Sequence, residues 1–219
     1  MSTAHSNSRT KILFLVQFSL LLAIEAIVSF TPLGSLPSFV PIVATLSHVP
    51  VILTAVILGT AAGTAMGFMF GLFSFLVWTF SPPSPITAFV FTPFYTLGEM
   101  KGGFASILIC FVPRILVGFV TGIVFTFLRK ALVNRKSLNV LSYGISGFLG
   151  SLTNTLLVLG GIYIFFGKEY ASAFGIEYTL LLGALSTVIF TSGISEAVIG
   201  AVLAYTVGVP VKRLVDKGR

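Results

Sequence analysis

LRKALVNRKSLN, residues 128–139, places four cations within eight positions (Arg129, Lys130, Arg135 and Lys136) between two long apolar runs. Upstream, residues 107–128 carry a single charge, Arg114, and downstream, residues 139–166 carry none. Two segments that need a bilayer are thus joined by one that cannot enter it, and its cations assign this connection to the cytoplasmic side. The other dense basic clusters are Arg9 with Lys11, and Lys212, Arg213, Lys217 and Arg219 near the end. Apolar text lies between all three clusters. With each cluster inside, the count that fits is six transmembrane helices with both termini cytoplasmic, leaving Lys101 and Lys168 on the outer side.

Composition agrees. At 56% hydrophobic residues, 9% charged residues and a mean hydropathy of +1.06, the chain cannot cover itself with a solvated surface, so the bilayer is its solvent. The expected fold is an all-α integral membrane protein, a single domain over 1–219 built as one compact bundle of helices of about 20 residues each. The approximate spans are 11–30, 40–60, 64–80, 107–128, 139–166 and 178–207. The last two are longer than a hydrocarbon core of about 30 Å requires, which predicts tilt or projection beyond it. The 22 glycines suit close helix packing in lipid. Gly59, Gly63, Gly67 and Gly71 share one stripe if a single helix runs through them. The run 12–30 exceeds a usual signal-peptide core and no small-x-small site follows it, which reads as a retained first span. The net charge of +7 sits at helix ends, where orientation and contact with anionic lipid account for it; no nucleic acid partner is expected.

Ionisable groups within a bilayer are costly and therefore draw attention. Glu25, Arg114 and Glu196 qualify. Arg114 lies about seven residues into the fourth span, roughly 10 Å deep at the helical rise. Glu25 falls in the outer half of the first span, Asn154 reaches a similar level in the fifth, and Glu196 is nearer the middle of the sixth. Two readings of Arg114 stand side by side: an ion pair with Glu25 or Glu196 that ties helices together, or a guanidinium presented to an anionic or polar ligand. The connection 81–106 holds four prolines and the aromatics Phe89, Phe91, Phe94 and Tyr95, which suit either a loop that closes over a small ligand or an anchor at the lipid interface; Phe91 and Tyr95 face the same way if that segment is helical, and Pro93 suits a turn equally well. On the first span Ser19, Ala23 and Ala26 belong to a small-residue stripe, with Glu25 pointing roughly opposite.

Enzyme chemistry has little to work with. The only Asp is Asp216 and the only His are His5 and His48, so paired aspartates and metal clusters are not available, and no GxxxxGK[ST] loop exists for ATP. His48 reads as a loop or helix-end residue. The lone Cys110 excludes an internal disulfide. Neither a cofactor nor a metal is expected.

Five stretches, in order along nearly the whole chain, resemble one family: SHVPVILTAVILGTAAGTAMGFMFGLFSF (47–75), FTPF (91–94), PRILVGFVTG (113–122), GSLTNTLLVLGGIYIFF (150–166) and SGISEAVIGAVL (192–203). They are similar to the substrate-binding S component of energy-coupling factor (ECF) transporters, and most similar to the pantothenate type. The resemblance implies a non-enzymatic six-helix subunit of a bacterial plasma membrane. Such a subunit captures a water-soluble vitamin from outside with high affinity and rotates within the membrane to deliver it, alongside a transmembrane T component and two cytoplasmic ATPases. It implies a site near the outer surface, which here takes in Arg114, Asn154 and the connections 31–48 and 81–106, so that Glu25, His48, Phe91, Tyr95 and Glu196 become candidate ligand contacts. For the T component the family's first helix commonly offers Ala-xxx-Ala. This chain departs from it with Ser19-xxx-Ala23 followed by Ile27, and Ser19, Ala23 and Ala26 are the docking candidates. Another vitamin or precursor is the alternative cargo, and a stand-alone carrier or channel the alternative class.

Overall fold

In the computed structural model, residues 2–31, 46–134 and 136–217 are described. Helix α1 (Ser2–Phe30) is followed by α2 (Val49–Leu58), α3 (Thr60–Phe80), a 3-10 turn (Pro85–Val90), a two-stranded hairpin of β1 (Thr96–Leu97) and β2 (Met100–Lys101), α4 (Phe104–Ala131), the single turn α5 (Lys136–Asn139), α6 (Leu141–Ala173), α7 (Tyr178–Val188), a π turn (Ile189–Gly193), α8 (Ile194–Thr206) and α9 (Gly208–Lys217). Five segments are long and apolar enough to cross a membrane: Thr10–Phe30, Thr60–Phe80, Phe104–Ala131, Leu141–Ala173 and Tyr178–Asp216. α2 is a sixth, shorter apolar helix. The expected start of the second span at 40 lies outside the described residues.

Helix α2 begins where Pro50, in its first turn, has no N–H to leave unpaired. It ends at Gly59, whose φ of +105° only glycine adopts without strain, and α3 starts at the next residue. That one-residue reversal breaks the glycine stripe. Gly59 is a turn, and only Gly63, Gly67 and Gly71 lie on α3. Those three do not serve an α2–α3 hairpin alone. A side chain at Gly63 would meet Ala55 of α2 and the Gly118 carbonyl of α4, one at Gly67 the Arg114 carbonyl, and one at Gly71 Phe111. From the other side Gly118 faces Gly63 and Gly122 faces Thr60. Glycine against glycine lets the α3 and α4 backbones touch, which gains dispersion contact where no hydrophobic effect drives helices together.

With α3 along one side and α6 along another, α4 is the central helix. α6 in turn carries α8, where Gly147 meets Gly200 and Ala204, and the π turn, where Gly193 meets Thr155. α1 is peripheral: from Thr10 to Phe30 only Glu25 is buried. It touches α3 through Phe30 and Phe73, whose rings are 5.4 Å apart, while Phe18, Leu21 and Leu22 lie on the cluster of Val51, Ile52, Met66 and Phe70. α1 therefore runs in the same sense as α3, and Lys11 lies toward the end where α3 begins. Arg129, Lys130 and Lys212 line one groove at that same end. The basic clusters that are far apart in sequence share one face of the bundle.

Two expected spans extend further than their apolar runs. α6 continues to Ala173, with a kink at Phe166 (φ −133°, ψ 20°), and the last span continues through α9, interrupted by the π turn just before Glu196.

Candidate functional site

Pro113 determines how Arg114 is held. A proline inside a helix has no N–H, so the carbonyl four residues earlier, that of Ile109, loses its intrahelical donor. The neighbouring arginine replaces it: Arg114 Nη1 donates to the Ile109 carbonyl at 2.8 Å. The side chain is thereby turned back along α4, away from the basic end, and is 6% exposed. Two aromatic faces flank it. Its guanidinium carbon lies 5.2 Å from the Phe91 ring centre and 5.6 Å from that of Phe70, within cation–π range. Nε is buried and has no hydrogen-bond partner among the described residues. A desolvated cation with a free donor is an anion receptor with part of its hydrogen bonding unspent.

Of the two readings of this arginine, an ion pair with Glu25 is not what holds it, because no such pair occurs among the described residues. Glu25 is fully buried on the inward face of α1; one carboxyl oxygen accepts from Ser29 at 2.9 Å and the other has no partner among the described residues. Glu196 is buried in the first turn of α8, where regular helix resumes at Ile194 after the π turn.

The helix contacts bring most remaining candidates to one level. Gly150 of α6 faces both Thr121 of α4 and Ile52 of α2. One turn farther from the basic end lie Asn154 on α6 and His48 at the start of α2. Gly200 sits against Ser151 and Gly193 against Thr155, so Glu196 falls level with Asn154. Both ring nitrogens of His48 and the side-chain oxygen of Asn154 are buried without partners among the described residues. Buried polar atoms are nearly always satisfied in folded proteins, so several orphans near one level mark polar contacts that the described residues do not supply among themselves.

The connection after α3 is a packed cover rather than a loose strand. Thr87 to Thr92 are buried, Ser106 of α4 donates to the Phe89 carbonyl at 2.6 Å, and Thr79 donates to Thr92 at 2.8 Å. Phe91 lies between Arg114 on one side and Trp78 on the other, its ring stacked on the indole at 4.5 Å. Tyr95 does not share its face: the chain turns after Phe91, and Tyr95 is half-buried at the base of the hairpin, where its carbonyl accepts from Gly102. Ser19 and Ala23 are exposed on α1 and Ala26 is half-buried.

Sequence reasoning passed over Trp78, Phe70 and the part played by Pro113. The last was detectable, since a helix-interior proline beside an arginine supplies an orphan carbonyl and a donor together. Trp78 and Phe70 carried no such signal among so many aromatics.

A family model described as ECF transporter, substrate-specific component, matches residues 13–208. The pantothenic acid transporter PanT of Lactococcus lactis subsp. cremoris (strain MG1363) is 35% identical over 153 residues, 69% of either chain. The pantothenate transporter PanT of Leuconostoc mesenteroides subsp. mesenteroides is 28% identical over 209 residues, 93% of either chain.

Proposed function

We propose that this chain, which belongs to the ECF transporter substrate-specific component family, is the membrane subunit that captures pantothenate for import across a bacterial plasma membrane. The observation that carries the chemistry is Arg114, a desolvated guanidinium between aromatic faces whose Nε has no partner among the described residues. Pantothenate is a carboxylate with an amide and two hydroxyls. The arginine suits the carboxylate, and the orphan atoms of His48 and Asn154 suit the neutral polar groups. The likeness to two pantothenate transporters supports that choice of cargo.

Trp78 is the only tryptophan, and it stacks on the ring that covers Arg114, so its fluorescence is a built-in reporter. Titration of the purified protein is expected to give a saturable change with pantothenate and none with pantothenol, which has an alcohol in place of the carboxylate. Equal responses to both would remove the arginine–carboxylate contact from the mechanism, and no response to either would remove pantothenate as cargo.

Energy for transport is assigned to partners, a T component and two ATPases, since the chain has no phosphate-binding loop of its own. The exposed Ser19 and Ala23 on the lightly packed α1 offer the T component a small-residue face. In this reading α2 is the remaining member of a six-span topology with the basic end cytoplasmic. A cysteine at Asn134 should then resist a membrane-impermeant thiol reagent on intact cells and react after permeabilisation. Labelling on intact cells contradicts that orientation.

A further inference from the structure

We propose that the groove at the basic end of the bundle, where Arg129, Lys130 and Lys212 stand over Val56 and Phe125, seats the phosphodiester headgroup of an anionic membrane lipid. The groove encloses about 350 Å³ between the end of α2, the last turns of α4 and the side of α9. Two of its three cations are positioned rather than merely solvated. Arg129 lies 5.7 Å from the Phe125 ring centre and its Nη1 donates to the Tyr143 hydroxyl at 3.5 Å, fixing the guanidinium on the wall. Lys212 donates to the Ile57 carbonyl at 2.8 Å and pairs with Asp216 at 3.3 Å. Among the described residues Arg129 and Lys130 have no carboxylate within salt-bridge distance. One carboxylate thus answers three cations, and an anion is the missing complement.

A lipid fits this surplus better than a soluble anion because the groove is bordered by apolar side chains. Val133 lines it and is 63% exposed, and Val56, Leu58 and Phe125 line its wall beside the cations. In a helix bundle whose other exposed apolar groups face acyl chains, these border residues offer contact to the glycerol and first methylenes, which inorganic phosphate does not have. Basic pockets between helices at the cytoplasmic surface bind anionic headgroups for this reason.

The test is native mass spectrometry of the full chain released from nanodiscs containing equal phosphatidylglycerol and phosphatidylcholine. Preferential retention of phosphatidylglycerol is expected. The double variant Arg129→Gln, Lys130→Gln should reduce that preference roughly 25-fold, about fivefold for each charge removed, while Lys101→Gln, Lys168→Gln, which lowers the net charge equally elsewhere, should leave it unchanged. If the first double variant fails to fold by circular dichroism, Thr126→Glu, which adds a carboxylate to the same groove and removes no cation, should reduce the preference about fivefold, the effect of one unit of charge. Equal retention of the two lipids by the parent chain, an equal loss in both double variants, or displacement of the lipid by an equal concentration of inorganic phosphate overturns the proposal.

Discussion

Pantothenate binding is expected to weaken by about 2–5 kcal/mol when Arg114 is replaced by alanine, since a desolvated charged hydrogen-bonding partner is lost. That is more than about 30-fold at 1.4 kcal/mol per tenfold. The same substitution leaves the Ile109 carbonyl, freed by Pro113, without its donor. That costs stability of about 1–3 kcal/mol if the carbonyl stays buried, so affinity and thermal unfolding must be measured together. Arg114→Lys separates the two effects. A lysine keeps the charge and one donor for the carbonyl but not the planar fork between Phe70 and Phe91. Its stability should approach that of the parent while its affinity stays low. Unchanged affinity in a folded Arg114→Ala protein would make the arginine a helix-repair device and nothing more. Phe91 works on the other rate. It covers the guanidinium and is itself backed by Trp78, so Phe91→Ala should speed pantothenate dissociation far more than it slows association, because a cover acts on escape. Stopped-flow fluorescence checks this, and an unaltered dissociation rate would reduce the connection to an anchor.

Gly118→Ala is expected to destabilise the bundle by about 1–3 kcal/mol, an overpacking cost incurred by a single methyl group. The new Cβ would overlap the Gly63 carbonyl and come within 2.8 Å of the Thr64 nitrogen. Both are backbone, so no side chain can swing away, and α3 must move off α4 along the contact that also includes Gly67 and the Arg114 carbonyl. Affinity should fall with stability, since Phe70 on α3 then retreats from Arg114. Gly160→Ala is the control. A Cβ there meets nothing within 4 Å, and alanine is the better helix former by about 1 kcal/mol, so Gly160→Ala should be neutral or slightly stabilising. Thermal unfolding in detergent distinguishes the pair, and equal behaviour would deny that the α3–α4 contact depends on glycine.

Some of this protein is determined by its sequence alone. Composition and the clusters around Arg129, Arg9 and Lys212 specify a helical membrane protein and which helix ends share a side. Bilayer insertion responds to sums over about 20 residues and to cations at their ends, and both are written locally. Arg114 is conspicuous for the same reason, as a lone charge in an apolar run. The motifs quoted from 47–75 to 192–203 carried the family.

Only the tertiary structure decided which faces meet. In water a helix's buried side declares itself by amphipathic periodicity. In lipid the solvent is as apolar as the core, so Leu20 facing outward and Leu21 facing the cluster at Ile52 and Phe70 read alike. For the same reason nothing in the text said that Gly59 would reverse the chain while Gly63, Gly67 and Gly71 opened a path for α4, or that Phe91 rather than Phe94 or Tyr95 would lie over Arg114. Those outcomes depend on interhelical van der Waals fit, on a carbonyl released by Pro113, and on an indole arriving from α3 to back the ring. Each joins residues distant in sequence, and none leaves a periodic trace along it.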